Sequence, residues 1–121
     1  MKQKLRKIVV DGTSYRWRVR HVHEPKVGPP GYRCTEVLTV FREGHPRGPA
    51  RVRFVASEGV LVGYPRSGVV ELGRGDWRVF NLNRPGLIAR LIRTFEGWNP
   101  DTRRSPWVVD DGVERLRALV V

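Results

Sequence analysis

Two sets of residues in this chain have types and spacings suited to chemistry. His21 and His23 stand two apart, with Glu24 next and Cys34 ten residues beyond it. On an extended segment both imidazoles project to one side, as a pair of metal ligands does. A closed zinc site draws four ligands from spaced pairs, however, and here no second pair follows; His45 belongs to a separate stretch. The sequence therefore assigns no metal and no cofactor.

The second set is basic. Lys7, Arg16, Arg18 and Arg20 lie near the start of the chain, and Arg51 and Arg53 repeat the same alternate spacing further on. Cations that share one face of a sheet can track a phosphate backbone. Tyr15 and Trp17 alternate with the first arginines and so point the other way, into a core rather than toward stacked bases. Such a face suits contact with a backbone and offers little for reading bases.

Nucleophilic catalysis finds no such constellation. Ser14, Ser57, Ser67 and Ser105 all fall in expected turns, without a nucleophile-elbow motif. Cys34 beside Arg33 reads as a small buried side chain, and the adjacent Asp110 and Asp111 suit a helix start better than acid-base work. Gly73 and Gly75 lack the third glycine of a phosphate-binding loop. No catalytic residue is assigned, and the chain is not expected to be an enzyme.

The elements that must position the basic set begin with a hairpin. Asp11 and Gly12 separate two strand-like runs, Ile8 to Val10 and Thr13 to Arg20, and this dipeptide accepts the positive φ angles of a two-residue turn. That turn sets Val10 against Thr13, Ile8 against Tyr15 and Arg6 against Trp17, with Lys7, Arg16, Arg18 and Arg20 on the opposite side. A loop rich in breakers is expected over Glu24 to Gly31, a third strand over Arg33 to Arg42, and another loop over Glu43 to Pro49. Arg51 to Ala56 alternates as a half-buried strand, and Val60 to Tyr64, Val69 to Leu72 and Trp77 to Leu82 extend an antiparallel meander, with turns at Pro65 to Gly68 and Gly73 to Asp76.

From Asn83 the period changes. Leu87, Ile88, Leu91, Ile92 and Phe95 recur at helical spacing with Trp98 in register, Asn83 placed to cap, Pro85 in the first turn and Gly97 as the stop. Trp107 to Val109 can add a last short strand. Asp111 with Glu114 then has the form of a capping box for a second helix along Val113, Leu116 and Leu119 or Val120. The whole reads as one α+β domain over residues 1–121, an antiparallel meander sheet packed on one face by an amphipathic helix, with a second short helix at the C-terminus.

Composition sets the outer bounds. The formal charge is +11, from 23 Lys and Arg against 12 Asp and Glu, which favours polyanionic partners. Because 19 of the 23 cations are arginines, much of the surplus follows from an arginine-rich composition, and the distribution says more than the total. Residues 1–20 hold seven bases and one acid, whereas residues 101–121 hold four of each. A single cysteine excludes an internal disulfide, and the apolar run Ile8 to Val10 is too short for an export core, so a cytoplasmic location without a membrane partner is expected.

The segment Val10-Asp11-Gly12-x-x-Tyr15-x-Trp17-x-Val19, together with Pro85-x-x-Ile88-x-x-x-Ile92 and Gly97-Trp98-x-Pro100, resembles small bacterial proteins of unassigned function. In these a basic Tyr-x-Trp hairpin stands near the start and a helix ending in Gly-Trp-x-Pro near the end. The resemblance implies one domain whose two ends pack together, and no activity. The expectation for function is thus a small basic module that contacts nucleic acid backbone through its arginine-rich sheet face. The alternative is a protein-interaction adaptor, an immunity-type partner or a subunit of a larger assembly, working through the two loops or an exposed sheet edge.

Overall fold

Asp11 and Gly12 both adopt positive φ, 50° and 81°, in the computed structural model of the chain, and so form the two-residue turn that the hairpin requires. The structure describes residues 5–29, 31–63, 66–73 and 78–119. Strand β1 (Arg6–Val10) pairs with β2 (Thr13–Pro25) in the expected register, with Val10 opposite Thr13, Ile8 opposite Tyr15 and Arg6 opposite Trp17. Trp17 is 1% exposed, and the Arg6 guanidinium lies 4.6 Å from the centre of its ring.

The chain continues as β3 (Tyr32–Arg42), β4 (His45–Val55), β5 (Val60–Val62), β6 (Val69–Leu72), β7 (Arg78–Asn81), α1 (Pro85–Ile92), β8 (Trp107–Val109) and α2 (Gly112–Leu119). The α+β class, the antiparallel meander and both helices are those expected from the sequence. The strands are shared between two sheets: one of five in the order β1-β2-β3-β4-β8, with β8 parallel to β4, and one of three in the order β5-β6-β7. Val19, Leu38, Val52 and Phe54 from the larger sheet, Val62 and Val70 from the smaller, and Ile88, Leu91 and Leu116 from the helices meet in one core.

Several boundaries move for identifiable reasons. The loop expected over Glu43 to Pro49 shrinks to Glu43 and Gly44, because Gly44 at φ 87° closes a tight turn and His45 already opposes Arg42. Likewise β2 runs through Pro25, which opposes Tyr32, so the connection after Glu24 is shorter than its breakers suggested. Helix α1 stops at Ile92 rather than near Gly97. There the Thr94 hydroxyl donates to the Leu91 carbonyl at 2.6 Å, and the Thr94 and Phe95 amides fold back three residues into tighter turns. Asn83 does not cap this helix; Arg84 occupies the cap position without a side-chain hydrogen bond.

The first hairpin packs against the segment that follows α1. Arg93, just past α1, pairs with Asp11 in the hairpin turn at 3.1 Å, and Tyr15 packs on Trp98 with ring centres 6.0 Å apart. The expected features at Lys2, Lys4, Pro30, Tyr64, Pro65, Gly75 with its neighbours Arg74 and Asp76, Trp77 and Val120 lie outside the described residues. Among the described residues no helix is long and apolar enough to cross a membrane.

Candidate functional site

Alternation along β2 divides its side chains between two environments. Thr13, Tyr15, Trp17, Val19, His21 and His23 face the core side of the five-stranded sheet, while Arg16, Arg18 and Arg20 face outward with Val22 and Glu24. The register extends this division across the sheet. Arg18 stands opposite Thr39, which stands opposite Arg51; Arg20 stands opposite Val37, which stands opposite Arg53. All six basic residues expected on one face, Lys7, Arg16, Arg18, Arg20, Arg51 and Arg53, are on it.

Their electrostatic situations differ. Lys7 and Arg16 are directly opposed like charges, and Glu43 at the β3-β4 turn lies 3.9 Å from one and 3.7 Å from the other. Arg53 is held more firmly, donating to Asp110 at 2.7 Å and also to Glu24. The Thr35 hydroxyl donates to Glu24 at 2.6 Å, and this bond, with the Arg53 guanidinium acting against the cost of burial, holds the Glu24 carboxyl below its ordinary pKa. The two carboxylates in turn raise the pKa of Arg53.

Arg18, Arg20 and Arg51 have no carboxylate partner among the described residues. Together with Val22, Val37 and Thr39 they line a cavity of about 250 Å³. Thr39 is only 3% exposed although it faces outward, flanked in register by Arg18 and Arg51. The Nε of Arg18 is buried and has no hydrogen-bond partner among the described residues. The excess of positive charge around the cavity favours an anionic occupant. The outward aromatic on the central strands is Phe41, half-buried beside Arg16; Tyr15 and Trp17 point inward. The surface can therefore hold anionic oxygens and lacks a stacking platform.

Comparison with known proteins adds nothing to this geometry. No family model, curated protein or solved structure matched the chain. The site is thus read from its own residues.

On the core side, β2 and β3 bring together the residues that the sequence left scattered. His21 opposes Glu36 and His23 opposes Cys34. Glu36 is fully buried; its Oε1 lies 2.8 Å from His21 Nδ1 and accepts the Gly68 amide at 2.9 Å. The second histidine is reached at 3.1 Å, Nε2 to Nε2, and its ring stacks on Tyr32 at 4.6 Å between centres. Sequence reasoning missed Glu36. The available signal was its place two residues after Cys34, which puts both on one face of a strand.

Proposed function

We propose that the protein binds nucleic acid backbone through the outward face of its five-stranded sheet. Arg18, Arg20 and Arg51 make the direct contacts, and Lys7, Arg16 and Arg53 form a partly neutralised margin. The observation that carries this reading is the open cavity on this face, lined by three arginines that have no acidic partner among the described residues. Strand spacing sets these cations about 7 Å apart along β2 and about 10 Å apart across to β4, a fixed array on rigid elements. Without an exposed aromatic platform, the contacts fall on phosphate oxygens, and affinity is indifferent to base sequence.

The test is binding to mixed-sequence DNA and RNA oligonucleotides, followed by fluorescence anisotropy over a range of salt. Three phosphate contacts predict a slope of log affinity on log salt of about −2 to −3. Reversing both Arg18→Glu and Arg51→Glu is expected to abolish measurable binding while the variant melts like the parent protein. Affinity that ignores salt, or survives both reversals, rules out this face. Recovery of a protein partner with nuclease-insensitive binding would support the adaptor reading instead.

A further inference from the structure

We infer that His21, His23 and Cys34 form a binding site for a single divalent transition-metal ion of the zinc class, with Glu36 as the group that orients His21. The inference is independent of the nucleic-acid reading, since these side chains lie on the other side of the sheet. One ligand atom from each of the three residues falls within 4.8 Å of the other two. Zinc bonds of about 2.0–2.1 Å to nitrogen and about 2.3 Å to sulfur give tetrahedral edges of about 3.3 Å between nitrogens and about 3.6 Å between nitrogen and sulfur. The two Nε2 atoms already stand 3.1 Å apart. The sulfur, within 4.8 Å of both nitrogens, is the ligand that must draw closer on binding.

The supporting groups are those a metal site needs. A histidine ligand commonly gives its other ring nitrogen to a carboxylate, which fixes the tautomer and the ring orientation. Here His21 Nδ1 meets Glu36 Oε1 at 2.8 Å, leaving Nε2 directed at His23. The carboxylate itself is fully buried, and its Oε2 has no hydrogen-bond partner among the described residues. A cation on His21 Nε2 would strengthen the bond from His21 Nδ1 to this carboxyl, as metal binding does for an oriented histidine.

Both rings are also held in place before any ion arrives. Tyr32 stacks on His23. Over His21 the chain passes so closely at Gly63 that a Cβ there would lie 2.3 Å from the imidazole Cε1; Gly63 also has φ 79°, so the position requires glycine twice over. His23 itself is exposed, and Tyr32 and Cys34 line a cavity of about 980 Å³. Two imidazoles and one thiolate suit zinc over magnesium or calcium, and three protein ligands leave the fourth position to water or an external donor.

The full chain, kept reduced, is to be titrated with Co²⁺ and Zn²⁺ and followed by absorption and by elemental analysis after desalting. One equivalent of Co²⁺ is expected to give tetrahedral visible bands and a sulfur-to-cobalt charge-transfer band that one equivalent of Zn²⁺ abolishes. Cys34→Ser should lose the charge-transfer band, and His23→Ala should weaken Zn²⁺ binding by more than about 100-fold; neither side chain is part of the buried core, and their melting without metal should match the parent. Glu36→Gln should weaken it by about 10- to 100-fold, the usual effect of altering an orienting group. A parent protein that takes up no ion, or whose cobalt spectrum lacks the sulfur band, overturns the site. So does Zn²⁺ binding that is unchanged in both Cys34→Ser and His23→Ala.

Discussion

The two faces of the β2-β3 ribbon use the same backbone for opposite electrostatic purposes. On the outward face, cations are gathered beyond the number of acids available to them, and the central three, Arg18, Arg20 and Arg51, have no carboxylate partner among the described residues. On the inward face, a single buried carboxylate, Glu36, is enclosed by His21 and the Gly68 amide. The outward cations are exposed or half-buried, whereas the Glu36 carboxyl is fully buried, where losing a partner costs more. The two faces differ less in the number of charges than in the degree to which each charge is satisfied.

The comparison breaks altogether if the shared support is removed. Trp17→Ala, at a fully buried ring beneath the arginine row, is expected to cost about 3–5 kcal/mol in urea denaturation and to abolish both faces together. A smaller change should separate them. His21→Ala strips Glu36 of one of its two hydrogen-bond partners among the described residues and is expected to destabilise the fold by about 2 kcal/mol. By contrast, Arg18→Ala should leave stability within about 0.5 kcal/mol while lowering the salt slope of oligonucleotide binding by about 1. If both substitutions destabilise equally, the distinction between the faces is lost.

Acid sharpens the contrast within the outward face itself. Because the Thr35 hydroxyl and then Arg53 hold the Glu24 carboxyl below its ordinary pKa, the ionised form is the one the fold stabilises. That stability is fully present above the unfolded value of about 4.3 and is lost as pH falls through the lower folded value. Glu24→Gln should therefore melt below the parent near neutrality, by a difference on the order of 1 kcal/mol, and the gap should narrow in acid. Thermal melts across pH 2–7 measure this, the range bracketing the ordinary carboxylate value.

The smallest effect expected is at the margin, where Glu43 lies between Lys7 and Arg16. Glu43→Gln should change stability by no more than about 0.5 kcal/mol, because the pairs are exposed. It should also strengthen oligonucleotide binding modestly by releasing two cations. Weaker binding in that variant would place the contact surface elsewhere.

Much of this could be read before any coordinates. The Asp11-Gly12 turn fixed the register of the first hairpin, and a period of two placed Lys7, Arg16, Arg18 and Arg20 on one side and Tyr15 and Trp17 on the other. The stripe from Leu87 to Ile92 announced α1 in the same way, though not its end, where one threonine hydroxyl competes with the helical pattern. These features are local, set by neighbours a few residues apart.

What the sequence alone determined, then, is which side chains share a face. Which of them are satisfied was decided only by the tertiary structure. Asp110 reaches Arg53 across 57 residues, Glu36 reaches His21 across 15 and the Gly68 amide across 32, and nothing in local periodicity encodes those meetings. They depend on how far each strand runs before it turns and on where the second sheet docks. A slip of one residue in the pairing register moves every side chain along the strand to the opposite face. The same dependence separates a lone pair of histidines in the sequence from three converging ligand atoms in the fold.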